Sequence, residues 1–182
     1  MNSEQSVMPP TATHIRAESN GVFGTDRAEA STPTEIRSTF LKQGLRMLKR
    51  VYPSRPLGES DLEFGNQIAD NFFRAVTANS SRKGAQLVFL YALPSTVESG
   101  VGYCVDICVG GKTIQEAQEY LVKEYIPGRG SGNDIDYGVV CFVGIHDYDT
   151  GRTSFAKHDP AFNVCRINWL THRARILEDS IL

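Results

Sequence analysis

The sequence predicts an α/β or α+β domain: a small mixed sheet of three to four strands with one βαβ crossover, two N-terminal helices and a C-terminal helix. The central observation is a strand–helix–strand pattern, with apolar runs at Val101–Val109 and Tyr137–Ile145 around an amphipathic stretch, Thr113–Tyr125. On both sides of this pattern, apolar residues recur every three to four positions, which is typical of helices that pack on a sheet.

The two apolar runs predict strands in different surroundings. In Val101–Val109 the odd-numbered residues are apolar, and the even-numbered ones are glycine, cysteine and aspartate, so the two sets face opposite ways. Tyr137–Ile145 is almost continuously apolar, as in a strand covered on both faces. We therefore expect the two strands to be parallel neighbours, joined by a right-handed crossover through the helix. After the second run, the Asp-Thr-Gly of residues 149–151 predicts a turn, and residues 153–156 predict a short strand that pairs back.

Two helices are predicted before the sheet, over residues 34–51 and 60–78. Thr34 is the expected N-cap of the first helix, and Ser60 with Glu63 forms a capping box for the second. Both stretches carry an apolar stripe at helical spacing, which predicts that each packs one face on the sheet.

The two ends of the chain differ in composition. Residues 1–33 are rich in Ser, Thr and Pro and have no apolar period, which predicts a disordered tail followed by one domain, residues 34–182. A last helix is predicted over about residues 164–179, because five apolar residues follow a three-four spacing: Ile167, Leu170, Ala174, Leu177 and Ile181.

Composition excludes several classes of protein. The formal net charge of −2 gives no bulk attraction to nucleic acid or to an anionic membrane. No apolar run approaches the roughly 20 residues of a membrane span, and no secretory signal is present, so a cytoplasmic or nuclear location is expected. The cysteines form no Cys-x-x-Cys pair, which predicts reduced, mostly buried thiols and neither a metal nor a cofactor: Cys104, Cys108, Cys141 and Cys165.

A candidate site lies where the two predicted parallel strands end. Ligands of open α/β sheets bind at the carboxyl ends of strands, and the helix that starts there offers free N–H groups to an anion. An antiparallel preceding strand would bring two more cations to this edge. The predicted ligand-binding residues are Gly110, Gly111, Lys112, Thr113, Arg82 and Lys83, and His146 and Asp147 follow the second strand as a candidate acid and base.

The same residues are also compatible with a purely structural role. The two glycines and Thr113 are typical of a tight turn with a helix cap. The loop is too short for a nucleoside triphosphate, and Asp106 stands where the phosphate-binding pattern requires glycine. Asp106 also lies between two cysteines on one strand face, where a carboxylate needs a partner, such as Arg82, Lys83 or an arginine of the first helix.

No complete catalytic constellation occurs in the sequence, which favours a binding or interaction module that docks a protein or an anionic small ligand. The alternative is a small enzyme whose acid/base site at the strand ends uses Lys112, His146 and Asp147. Contact with nucleic acid is not expected, but the first helix offers one surface for it, whose binding would weaken steeply with salt: Arg37, Lys42, Arg46, Lys49 and Arg50.

Overall fold

The computed structural model describes residues 29–97, 100–124 and 131–177. These residues form a mixed α+β fold, and the two predicted N-terminal helices are confirmed. The predicted tail lies outside the described residues up to position 28. The elements are α1 (Pro33–Val51), α2 (Glu59–Ala78), β1 (Ala85–Val97), β2 (Gly100–Val109), α3 (Ile114–Glu124), β3 (Ile135–Asp147), β4 (Arg152–Phe155), β5 (Asn163–Asn168) and β6 (Arg173–Ile176).

The six strands form one sheet in the order β2-β1-β3-β5-β6, and β4 pairs with β3 beyond the end of β5. All the pairings are antiparallel. The prediction of a parallel β2–β3 pair is therefore wrong, because β1 lies between these strands and runs antiparallel to both. The hairpin with β2 uses one edge of β1 and leaves the other edge to β3.

The prediction of a C-terminal helix is also wrong. The segment forms two strands instead, so the sheet is larger than predicted. Residues 163–176 form the β5–β6 hairpin, in which Cys165 and Ile167 are fully buried. Leu170 belongs to the expected helical stripe, yet it is 71% exposed in the hairpin turn. An alternating pattern buries the apolar residues of this segment better than a helical period does. Residues 178–182 lie outside the described residues.

The helix caps differ from the prediction at α1 and α2. The N-cap of α1 is Thr32 rather than Thr34, since the Thr32 hydroxyl accepts from Glu35 N at 3.2 Å and the Glu35 carboxylate accepts from Thr32 N at 2.6 Å. At α2 the Gly58 N–H donates to Asp61 at 2.8 Å, so the cap lies two residues before the predicted box. None of the three described helices is long and apolar enough to cross a membrane.

Two apolar cores lie on opposite faces of the sheet. Under α1 and α2, the fully buried side chains include Phe40, Met47 and Phe72. Under α3, Leu121 packs with residues of β1, β3 and β5. The predicted alternation of β2 is confirmed, because its odd-numbered residues from Val105 to Val109 pack toward α1 and α2, and its cysteines pack toward α3.

The helices cover the two faces unequally. Helices α1 and α2 pack on β1 and β2, at one side of the sheet. Helix α3 reaches across the other face to β6, where the Gln118 side chain accepts from Ile176 N at 2.9 Å. On the face of α1 and α2, Tyr137 of β3 is 53% exposed, and the arginines of β5 and β6 are exposed as well. Among residues 29–97, 100–124 and 131–177, no helix packs over this part of the sheet.

Side chains close much of the outer edge of β2. The Tyr52 hydroxyl accepts from Tyr103 N at 2.9 Å, and the Asp106 carboxylate accepts from Ile107 N at 2.7 Å. Farther along, the Arg82 guanidinium donates to Val109 O at 2.9 Å. Three backbone groups on this edge are thus satisfied without another strand.

Candidate functional site

The ends of β2 and β3 lie at the same end of the sheet. Both strands run antiparallel to β1, so their carboxyl ends flank the start of β1. Leu87 N donates to Gly111 O at 2.8 Å, and Gln86 of β1 pairs with His146 of β3. The structure therefore brings the glycine turn and the histidine to one rim, with β1 between them.

The sheet nevertheless separates the predicted cationic and acid/base groups. The His146 ring faces α2, with its centroid 5.8 Å from that of Phe72. The glycine turn packs against α3 on the opposite face, where a Cβ on Gly110 would lie 2.1 Å from the Tyr120 ring. Lys112, which follows this turn, shares a groove with Tyr120. Lys112 therefore lines the groove beside α3, whereas the His146 ring packs against α2.

His146 is a buried core residue. It is 6% exposed, its Nδ1 lies 2.9 Å from the Thr153 hydroxyl, and its ring meets that of Tyr148 edge-on at 4.7 Å. Burial lowers the pKa of His146, because a charged imidazole is poorly solvated there, and the nearby Asp147 carboxylate opposes this only in part. A neutral imidazole is able to accept a proton. In this structure, however, the ring is buried among aromatic side chains and the sheet.

Asp147 stabilises the turn between β3 and β4. Its carboxylate accepts from Asp149 N at 2.9 Å, and hydrogen bonds from Asp149 and Thr150 lower its pKa. The side chain therefore stays ionised, and it lines an open pocket of about 440 Å³ together with Ala85 and Arg152. This pocket is separate from the groove at Lys112.

The start of α3 is occupied by groups of the helix itself. As predicted, Thr113 caps the helix, accepting from Glu116 N at 3.2 Å. The Glu116 carboxylate accepts from Lys112 N at 2.8 Å, so it takes one of the N–H groups offered to an anion. Gly111 has φ +80°, and a Cβ there would lie 2.3 Å from Ala117 N, so close packing of α3 requires glycine.

The groove beside α3 collects several predicted ligand-binding residues. It has a volume of about 340 Å³, and the Arg82 guanidinium lies 4.5 Å from the centre of the Tyr120 ring. Lys83 is exposed but does not line the groove. Three cations and two acids give the groove mixed charge, and its lining residues are Arg82, Gln86, Gly111, Lys112, Glu116, Glu119, Tyr120 and Lys123.

Two of the cysteines are deeply buried thiols, and the Asp106 carboxylate is bound by an amide side chain. Burial raises the pKa of Cys141 and of Cys165 to about 12, which leaves both as thiols at neutral pH. None of the four cysteines forms a disulfide. The partner of Asp106 is Asn71 of α2, at 2.9 Å, rather than a cation. Among the described residues, no group of three or more acidic, histidine or cysteine side chains could hold a metal ion.

Much of the basic surface of α1 is engaged within the protein. Arg37 forms an ion pair with Asp70 at 2.8 Å, and Lys42 forms one with Asp159 at 2.7 Å. The Arg46 guanidinium donates to Pro160 O at 3.3 Å. The first contact joins α1 to α2 and the other two fasten the segment after β4 to α1, so three of the five cations have a structural role.

A surface that sequence reasoning missed lies on the part of the sheet over which no described helix packs. Tyr137 pairs with Arg166, and Arg166 pairs with Arg175, so three strands present these side chains in one row. Arg173 lies two residues along β6, on the same face. We call these four residues the open sheet face. The available sequence pattern was the alternation of Arg173 and Arg175 in β6, together with Arg166 between two apolar residues of β5, but a helical interpretation of the segment obscured it.

The groove and the open sheet face differ in their balance of charge. Two acids oppose three cations in the groove, whereas no described residue forms an ion pair or hydrogen bond with the three arginine side chains of the open sheet face. Comparison with known proteins finds no matching family model, no matching curated protein and no matching solved structure.

Proposed function

We propose that the protein is an interaction module that docks an anionic partner through the open sheet face. The observation that carries this proposal is the direct pairing of Arg166 with Arg175 across neighbouring strands. Like charges opposite each other destabilise a sheet, and no described acid relieves this pair. A bound anion would turn that repulsion into binding energy.

The chemistry of arginine supports this role. Its planar guanidinium donates two parallel hydrogen bonds to a phosphate or a carboxylate, and it is held less strongly by water than an ammonium group. Three such groups within two short strands offer several contacts to one multivalent anion. The face therefore suits a partner with repeated negative charges better than it suits a single small ion.

The surface is also built on rigid elements. Directly behind Arg166, its neighbours Cys165 and Ile167 are fully buried in the core under α3. The Trp169 indole donates to the buried Asp136 carboxylate at 2.6 Å, which ties the end of β5 to the start of β3 beside Tyr137. A preorganised surface loses less conformational entropy when a partner binds.

The test is retention of the full chain on immobilised heparin, used as a generic polyanion, along a salt gradient. We expect Arg166→Gln/Arg175→Gln to elute at clearly lower salt than the wild type, because two phosphate-like contacts are lost. The matched control is Lys49→Gln/Arg50→Gln, which removes the same charge from exposed positions of α1. If the two double variants elute together, general charge explains the retention and the proposed docking face is wrong.

The groove beside α3 supports a second candidate, a small carboxylate or phosphate ligand held by Arg82 and Lys112. The observation in its favour is that these two predicted residues line one cavity of about 340 Å³. Calorimetric titration with phosphate and with citrate tests it, and Lys112→Ala is expected to abolish the binding heat. The enzyme alternative adds His146 and Asp147 as acid and base. It requires turnover that His146→Ala removes while the fold survives.

A further inference from the structure

We infer that the partner of the open sheet face is single-stranded nucleic acid. This inference rests on the proposed function, because it names the class of anion that the arginines receive. The observation that selects this class is the exposed Tyr137 ring, which lies in the same cross-strand row as Arg166 and Arg175. A polyanion without planar groups would offer the Tyr137 ring no surface on which to stack.

Tyr137 has the placement of a stacking platform. It is 53% exposed although it sits on a sheet, between buried neighbours: Asp136 is 4% exposed, and Gly138 packs against the Leu93 side chain of β1. Its backbone is held by pairing with β5. Unpaired bases stack on aromatic rings that project from sheet surfaces, whereas the bases of a duplex are already stacked on one another.

The arginines are spaced to follow a nucleic-acid backbone past that ring. Neighbouring strands are about 4.8 Å apart, so the row from Tyr137 through Arg166 to Arg175 spans roughly 10 Å. Arg173, two residues along β6, adds a cation roughly 7 Å away. A base on the ring would thus have its flanking phosphates within reach of two or three guanidinium groups.

The overall charge of −2 does not conflict with this inference, because the distribution of charge differs between surfaces. Phosphate contacts are local, and their strength falls as salt screens them. With two or three phosphates of a single strand neutralised, the logarithm of the association constant should fall with the logarithm of salt concentration at a slope of about −1.4 to −2. A modest slope and a requirement for the ring together distinguish this surface from a general basic patch.

The experiment measures binding of the full chain to fluorescently labelled ten-nucleotide single strands of uridine and of deoxythymidine, by anisotropy. A ten-base-pair duplex and a glutamate-rich peptide are the comparison probes. We expect the single strands to bind at least fivefold more tightly than either. Tyr137→Leu should weaken single-strand binding roughly 5- to 100-fold, and Tyr137→Phe should stay within twofold, because phenylalanine keeps the aromatic face.

The variants separate this inference from the proposed function. If Arg166→Gln/Arg175→Gln lowers heparin retention but Tyr137→Leu leaves single-strand binding unchanged, the arginine surface stands and the nucleic-acid inference is overturned. Tighter binding of the glutamate-rich peptide, or equal binding of the duplex, overturns it too. Binding of the full chain to none of the probes overturns the nucleic-acid inference, and if the two double variants also elute together from heparin, the proposed function is overturned with it.

Discussion

The two halves of the sheet contrast in what lies over them on the side of α1 and α2. Over β1 and β2, aromatic and aliphatic side chains exclude water, and Phe40, Met47 and Phe72 are at most 1% exposed. Over β5 and β6, the same face presents exposed arginines, and the exposed ring of Tyr137 lies beside them at the start of β3. One continuous sheet thus combines a half buried under two helices with a half whose side chains are exposed among the described residues.

The largest expected effect is on the covered half. Phe72→Ala should lower the free energy of unfolding by about 3–5 kcal/mol, because it removes a buried ring in contact with Phe40 and leaves a cavity. Urea denaturation measures the loss. The comparison variant is Tyr137→Ala, which should change stability by no more than about 0.5 kcal/mol, since its side chain is exposed. Equal losses would remove the contrast between the halves.

The second prediction concerns the packing of α3. Gly111→Ala should cost about 2–4 kcal/mol, because a positive φ is combined with a Cβ 2.3 Å from the backbone of Ala117. Gly151→Ala is the matched control: its φ of +66° is also unfavourable, but nothing lies within 4 Å, so only about 1 kcal/mol is expected. A similar loss in both variants would mean that backbone strain, rather than the approach of α3, requires Gly111.

The third prediction concerns acid stability, through the buried His146 of the covered half. Its pKa is lowered in the folded protein from the ordinary value of 6.5, so the unfolded chain binds the proton more readily. This contribution to stability is complete above pH 6.5 and is lost as the pH falls below it, by at most about 1.4 kcal/mol per pH unit. Denaturation at pH 7 and pH 5 measures the slope, which His146→Gln should reduce. An unchanged slope would show that other groups cause it.

The smallest expected effect is on the open half, and it is a gain in stability rather than a loss. Arg166→Glu should raise stability by about 0.2–1 kcal/mol, because it replaces a like-charge pair with an attractive pair opposite Arg175. Arg166→Glu/Arg175→Glu restores repulsion and should cancel the gain, and added salt should shrink both changes. Destabilisation by Arg166→Glu in thermal denaturation would contradict the view that the arginines serve binding at the expense of the fold.

Local patterns carried most of the correct structural predictions. The alternation of β2, the cap of α3 at Thr113 and the hairpin between β3 and β4 depend on residues close in sequence, and each was predicted. The placement of β1 between β2 and β3 was not, because strand order depends on which edge of a hairpin remains free. The apolar residues of the β5–β6 segment fit both a helical period and a strand alternation. Burial of the alternating residues against α3 selects the strands.

The end of the sheet at which the candidate residues lie was predictable, but the face of the sheet to which each side chain points was not. Strand direction placed Gly111 and His146 at one rim, as expected. The face to which each points was missed, since a bulge between β1 and β3 shifts the register at Val88 and Phe89. Arg166 and Arg175 were missed as a pair because their juxtaposition exists only once two strands are aligned.

The closed edge of β2 has a consequence for how copies of this protein meet one another. A second chain that added a strand there would have to displace the Tyr52 hydroxyl, the Asp106 carboxylate and the Arg82 guanidinium from the backbone groups they satisfy. The long edge strand is thereby protected against fibre-like stacking at high concentration. A bare backbone ladder accepts almost any extended chain, and these three side-chain contacts reduce that exposure along β2.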